Sequence, residues 1–168
     1  MGYLHDTHMS QYVPPTAFHY VTGTWVSDAG NVAGTIVQQK SAAAQTAVVN
    51  IPLVVPSNSV ALKGSKIASV EIDYEILTAA ATSITASMNK VTRGADGAVA
   101  VVAAVTVTQD LTAATDAADV DQHKLIVTVT TPVWIDNDEE LLLVLTCVCA
   151  ATTVLEFLGA VVNFTERI

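Results

Sequence analysis

The sequence predicts an all-β protein, a two-sheet antiparallel sandwich of jelly-roll topology with an extended N-terminal arm. Three observations carry that prediction. Residues 125–164 read LIVTVTTPVWI, then an acidic DNDEE turn, then LLLVLTCVCA and VLEFLGAVVNF. These are long runs of aliphatic and β-branched side chains, which suit a pleated surface better than a helix. Residues 67–76 alternate, with Val70, Ile72, Tyr74 and Ile76 on one face and Ser69, Glu71, Asp73 and Glu75 on the other. Turn residues divide the remainder into about eight or nine short strands with no long helical pattern between them.

Residues 1–16 form the arm. Adjacent Pro14 and Pro15 and the lack of any period make it extended, not helical. An arm held in place needs something to hold it, and a neighbouring subunit, gripped through Tyr3, Tyr12, Pro14 and Pro15, is the expectation. Residues 17–168 then form one sandwich domain, a length sufficient for a single core.

Within that domain, residues 17–26 are a first strand and 28–31 a turn, with a short strand over 32–38 and a loop or one helical turn over 40–44. Residues 46–55 are strand-like, and Pro52 pushes them toward a sheet edge or a bulge. After a turn-rich connection over 56–66, the alternating strand 67–76 is followed by a second over 82–91. A hairpin between them would set Ile76 against Ile84, Tyr74 against Ala86 and Ile72 against Met88, large against small on the core face. Residues 99–108, 123–131, 139–149 and 154–165 complete the strands, and 109–122 reads as a loop with room for one short helix. Residues 141–145 are apolar on both faces, as in a strand central to a sandwich or covered outside by another subunit.

Residues 141–162 are also long enough to span a membrane. Glu156 inside the window, the acidic flank before it and its many Val and Thr residues argue for two strands instead, and no membrane association is expected. A net charge of −9 argues against nucleic acid, which wants a basic patch. Charged residues make up only 14% of the chain, so part of its surface is expected to be covered by a partner. The first residues show no secretory signal. Cys147 and Cys149, two apart on one strand, read as buried thiols of a protein made in a reducing compartment.

Candidate chemistry is sparse. Asp136, Asp138 and Glu139 of the DNDEE turn offer the oxygen ligands that Ca²⁺ prefers, without the glycine and distal glutamate of an EF-hand; a solvated acidic turn is the plainer reading. Glu71, Asp73 and Glu75 have spacings that overlap those of glycosidase carboxylates, but an exposed strand face explains them too. His5 and His8 could meet symmetry mates around a metal, while His19 and His123 read as strand-end residues. Nucleophile elbow, P-loop, HExxH and paired CxxC patterns are absent. An enzyme is not expected, nor a cofactor beyond that structural Ca²⁺.

The layout resembles small virion proteins of tailed phages and related viruses. The likeness lies in the arm MGYLHDTHMSQYVPP, the segment PSNSVALKGSKIASVEIDYEI and the pair HKLIVTVTTPVW and ELLLVLTCV. It implies a capsid decoration, cement or minor capsid subunit, made in the host cytoplasm and carried in the virion. It also implies homo-oligomers, trimers above all, with arms reaching other virion proteins, and no cofactor. The alternative is a ligand-binding sandwich, a carbohydrate-binding or adhesin-like module. That module would need a row of exposed aromatics, for which the chain offers Trp25, Trp134 and four tyrosines.

Overall fold

The structure, a computed structural model, describes residues 5–28, 36–58, 64–94, 100–110 and 120–167. Its strands are β1 (Asp6–Val13), β2 (His19–Thr22), β3 (Trp25–Asp28), β4 (Val37–Lys40), β5 (Gln45–Leu53), β6 (Gly64–Ile76), β7 (Ala81–Thr92), β8 (Val101–Val105), β9 (Val107–Gln109), β10 (Gln122–Val129), β11 (Glu139–Cys149) and β12 (Leu155–Arg167). A single 3₁₀ turn, Pro15–Ala17, joins β1 to β2, with Pro15 at its first position, where a missing N–H costs nothing.

The strands form two antiparallel sheets. One is seven-stranded, ordered β3-β4-β12-β6-β10-β9, with β1 also paired to β12; the other is five-stranded, ordered β2-β5-β11-β7-β8. The connectivity is that of the expected jelly roll. β4 pairs with β12, β5 with β11, β6 with β10 and β7 with β8, a set of nested pairs resembling one long hairpin folded over on itself. Rolling that hairpin places β12 beside β6 in one sheet and β11 beside β7 in the other.

The hairpin expected between 67–76 and 82–91 does not form. β6 and β7 lie in different sheets, and Ile84, Ala86 and Met88 oppose Cys147, Leu145 and Leu143 of β11. The assignment of faces was right and the partner was wrong. Alternation fixes which side chains point inward, and Ile76 and Ile84 do so from opposite walls of one core.

The N-terminal segment is extended as expected, and its own chain holds it. β1 lies antiparallel along β12 of the same chain, from Asp6 opposite Arg167 to Val13 opposite Ala160. The boundary drawn at residue 16 is thus crossed by sheet hydrogen bonding, and Arg167 ties the start of β1 through its guanidinium to Asp6 at 2.5 and 2.7 Å.

The core is the space between the two inner faces. Val70, Ile72 and Tyr74 of β6, Phe157 and Val162 of β12, and Leu125 and Val127 of β10 meet Val49 and Ile51 of β5, Leu143 and Leu145 of β11, and Met88 of β7. Each fully buried aliphatic side chain contributes about 1.5–3 kcal/mol relative to exposure. Residues 141–145 turn out to be the middle of central strand β11. Pro52, whose ring removes a ladder donor, sits where β5 has β11 on one side only, because β2 reaches no further than Asn50. Among the described residues two charged side chains are fully buried, Lys40 and Glu156. The Lys40 ammonium donates to the carbonyls of Ser41, Ala43 and Thr153 at 2.9, 2.8 and 3.0 Å, closing the loop after β4 against the β11–β12 connection.

Candidate functional site

With the core accounted for, function falls to the two outer faces, which differ in chemistry. On the seven-stranded sheet the outward positions carry a polar row that crosses four strands. Ser10 of β1 donates to Asn163 Oδ1 at 2.6 Å, and Asn163 donates onward to Glu71 at 2.9 Å and Ser69 at 3.3 Å. Lys124 of β10 closes the row on Glu71 at 2.8 Å, with Asp73 at 3.8 Å. The bonds from Lys124 and Asn163 outweigh the slight burial of Glu71 and hold its carboxyl below the ordinary range, while Glu71 and Asp73 raise Lys124. Glu71 and Asp73 are therefore ion-paired with Lys124 on an exposed face, and Glu75 accepts from the Gln122 carboxamide at 3.4 Å.

Tyr12 stands on the same face. Its phenol donates to Leu158 O at 3.1 Å, and its ring lies over Gly159, where an added Cβ would come within 2.5 Å of the hydroxyl. Gly159 has a φ of 145° and sits at the β12 bulge between Phe157 and Gly159, so the sequence supplies there a residue with neither a Cβ nor a backbone restriction.

The outer face of the five-stranded sheet is its opposite. Outward positions alternate along β11 as Glu140, Leu142, Val144, Thr146 and Val148, and β7 beside it presents Thr85, Ser87, Asn89 and Val91. Val48, Asn50 and Pro52 of β5 flank the other side, and Val102 and Ala104 of β8 the rim. Among the described residues, Glu140 and the His19 imidazole are the only titratable groups on these positions, and Glu140 is at the edge, paired with Arg93 at 3.4 Å.

Neither tryptophan forms an open platform. Trp25 is half-buried, 4.5 Å from Tyr20 and 6.2 Å from Phe157 between ring centroids, and its indole N–H donates to Thr22 O at 2.9 Å. Burial in the same cluster pushes the Tyr20 phenol up to about 12. Trp134 lies beneath cations, with Lys66 Nζ 5.0 Å and Arg167 Cζ 4.7 Å from its ring centre.

Of the residues expected to bind, Asp136, Asp138 and Glu139 are in a turn closed by the Glu139 N–H on Asp136 O at 3.0 Å. The Glu139 oxygens are taken by donors and not left for a cation. One meets Lys90 and Thr92, and the other accepts from the Asp136 N–H at 3.0 Å. Among the described residues no three acidic, cysteine or histidine side chains gather where they could hold a metal ion. Burial pushes Glu139 upward, but Lys90 and the other donors prevail and leave its carboxyl below the usual range.

Tyr3 lies outside the described residues. Tyr12 and Pro14 are exposed and Pro15 is buried, and the contacts of Tyr12 are with its own chain. His8 shares a hydrogen bond with Thr165 at 3.2 Å, and His123 packs on Tyr74 at 5.3 Å. Cys147 and Cys149 are buried free thiols, and burial pushes both above the ordinary thiol range. A groove of about 350 Å³ at one end of the sandwich is lined by His19, Leu53, Ser57, Arg93, Glu139 and Glu140, and its Ser57 hydroxyl donates to Asn137 Oδ1 at 3.3 Å.

No protein-family model and no curated protein sequence matches the chain. Solved structures resemble it in fold. The chain aligns over 92% of its length with 92% of the CBM22 xylan-binding domain of Paenibacillus barcinonensis Xyn10C, at 15% identity and a TM-score of 0.40. It aligns over 95% with the CBM22–GH10 modules of a Clostridium thermocellum endo-1,4-β-D-xylanase (10% identity, TM-score 0.42) and over 91% with an arabinose-bound α-L-arabinofuranosidase (10% identity, TM-score 0.45). It spans only 28% and 24% of those two proteins. None of the three is a virion protein, and the likeness concerns the sandwich alone.

Proposed function

We propose that this chain is a non-catalytic β-sandwich that works by surface contact, with the charge-poor outer face of the five-stranded sheet as its working surface. The contrast between the two faces carries the reading. The ion pairs of a chain with net charge −9 are concentrated on the seven-stranded sheet and the rim, while Leu142, Val144, Val48 and Val91 face outward without a charge among them. A surface of aliphatic and hydroxyl side chains depleted in charge has the composition of a protein-covered contact.

The finer assignment is a structural subunit of a virion, of decoration, cement or minor capsid type, acting in homo-oligomers. Its support is that face, the low charged fraction and the jelly roll, an architecture that capsid and lectin domains share. Sedimentation and native mass spectrometry across a concentration series test the contact. The wild type is expected to assemble beyond a pair, and Val144→Lys at the centre of the face to lose the larger species while keeping its fold. A wild type that stays monomeric throughout removes the reading.

A second reading, a carbohydrate-binding module, is favoured by Tyr12. Tyr12 is 58% exposed on the face that also holds Ser10, Asn163, Glu71 and Lys124. An aromatic plate beside polar groups that meet hydroxyls is how a sugar is gripped. Calorimetry with xylan oligosaccharides and a panel of other glycans decides it. Binding lost in Tyr12→Ala supports this reading, and the absence of heat with every glycan ends it.

A further inference from the structure

We infer that β8 is a docking edge for a second copy of this chain, pairing antiparallel with the copy's own β8 so that two five-stranded sheets continue as one. The inference rests on the surface-contact reading above and names the partner.

β8 is the outermost strand of its sheet, and among the described residues no strand lies beyond it. Its far side presents backbone N–H and C=O groups that only another extended chain can match in series. Edge strands are ordinarily guarded by a charge, a proline, a bulge or a covering segment. Val101, Val102, Ala103, Ala104 and Val105 contain no charge and no proline, and they pair with β7 without a register shift. Val101 and Val102 are 65% and 62% exposed.

The same sheet edge is sealed one step further along. Where β8 has ended, the Gln109 side chain receives the Ala86 N–H at 2.8 Å and donates to Ile84 O at 3.1 Å, standing in for a strand. Among the described residues, a side chain thus closes the edge at Ile84–Ala86 and no strand closes it along β8.

Two arguments select a second copy as occupant. The strand is complementary to itself. In an antiparallel pair centred on Ala103, Val102 meets Ala104 of the copy on the outer face, and Val101 meets Val105 on the inner, so large opposes small on the outer face and the faces continue in phase. Charge points the same way. Copies of a chain with net charge −9 repel, and β8 is a strand where two can meet without bringing carboxylates together. Such a pair has a twofold axis, and any larger ring needs the outer face as its second contact.

Register-specific variants test this. Val102→Lys and Ala104→Glu are expected to weaken the dimer by about tenfold or more, each placing a charge opposite an apolar residue, with unchanged circular dichroism. Mixed in equal amounts they are expected to form a heterodimer, because Lys at 102 of one chain then faces Glu at 104 of the other. Native mass spectrometry reads all three samples. Single variants that dimerise as the wild type does, or a mixture with no heterodimer, overturn the inference. Val144→Lys separates the two claims: loss of larger species with the dimer intact supports both, whereas its dissociation beside undisturbed β8 variants sinks the edge pairing and leaves the face contact standing.

Discussion

The Gln109 carboxamide makes the two hydrogen bonds with β7 that a neighbouring strand would make, accepting from the Ala86 N–H at 2.8 Å and donating to Ile84 O at 3.1 Å. Gln109→Ala removes both partners of part-buried backbone groups. A loss of about 1–3 kcal/mol is expected in urea unfolding, together with faster amide exchange at Ala86. Unchanged exchange there would show that water replaces the amide without cost.

Gly159 gives a second prediction. Alanine at this position meets both a backbone φ of 145° and the Tyr12 ring, so Gly159→Ala is expected to destabilise by about 1–3 kcal/mol. In a Tyr12→Ala background the steric part disappears and the backbone part remains. Thermal melts of the two single variants and the double variant should therefore be non-additive, the double costing less than the sum.

Acid should loosen the fold through depressed carboxylates. Glu139, Glu71 and Asp6 all have folded pKa values below their ordinary ones, so each binds its proton more readily when unfolded. Their contribution is complete above the ordinary carboxylate range and is lost as pH falls through the folded values. Urea midpoints measured from pH 7 down to pH 3 should decline, and the decline should be shallower in Glu139→Gln, which starts lower. A slope identical to the wild type would exclude the Lys90–Glu139 pair as a contributor.

Adjacent residues of β11 should respond in opposite ways. Leu143→Ala opens a cavity between the sheets and is expected to cost about 2–5 kcal/mol. Val144→Lys, one position along and facing outward, should change monomer stability by less than about 1 kcal/mol while changing self-association. Equal destabilisation by the two would mean that the outer face is covered within the chain.

Much of this fold was legible from side-chain period and turn residues. Residues 139–149 are strand β11 to the residue, and 67–76 bury Val70, Ile72, Tyr74 and Ile76 as their alternation indicates. Pairing was not legible. A period of two says which side of a strand is greasy, and in a jelly roll the inward sides of β6 and β7 belong to opposite walls. The N-terminal strand was hidden for a related reason, because β1 is exposed on both faces from Asp6 to Tyr12 and carries no burial pattern. The DNDEE turn was visible as acid, but the lysine that neutralises Glu139 comes from β7, and no local spacing connects them. Gln109 gave no signal at all, since a glutamine's role in sealing an edge depends on where another strand stops.

The placing of β12 has a consequence for biosynthesis. It lies between β6 on one side and β1 and β4 on the other, yet it is the last of these strands to be translated. Until the ribosome has delivered it, β1 has no partner strand and the β3–β4 pair has no sheet to join. Such distant pairing predicts slow folding, on the scale of milliseconds to seconds, completed only once β12 has emerged from the exit tunnel.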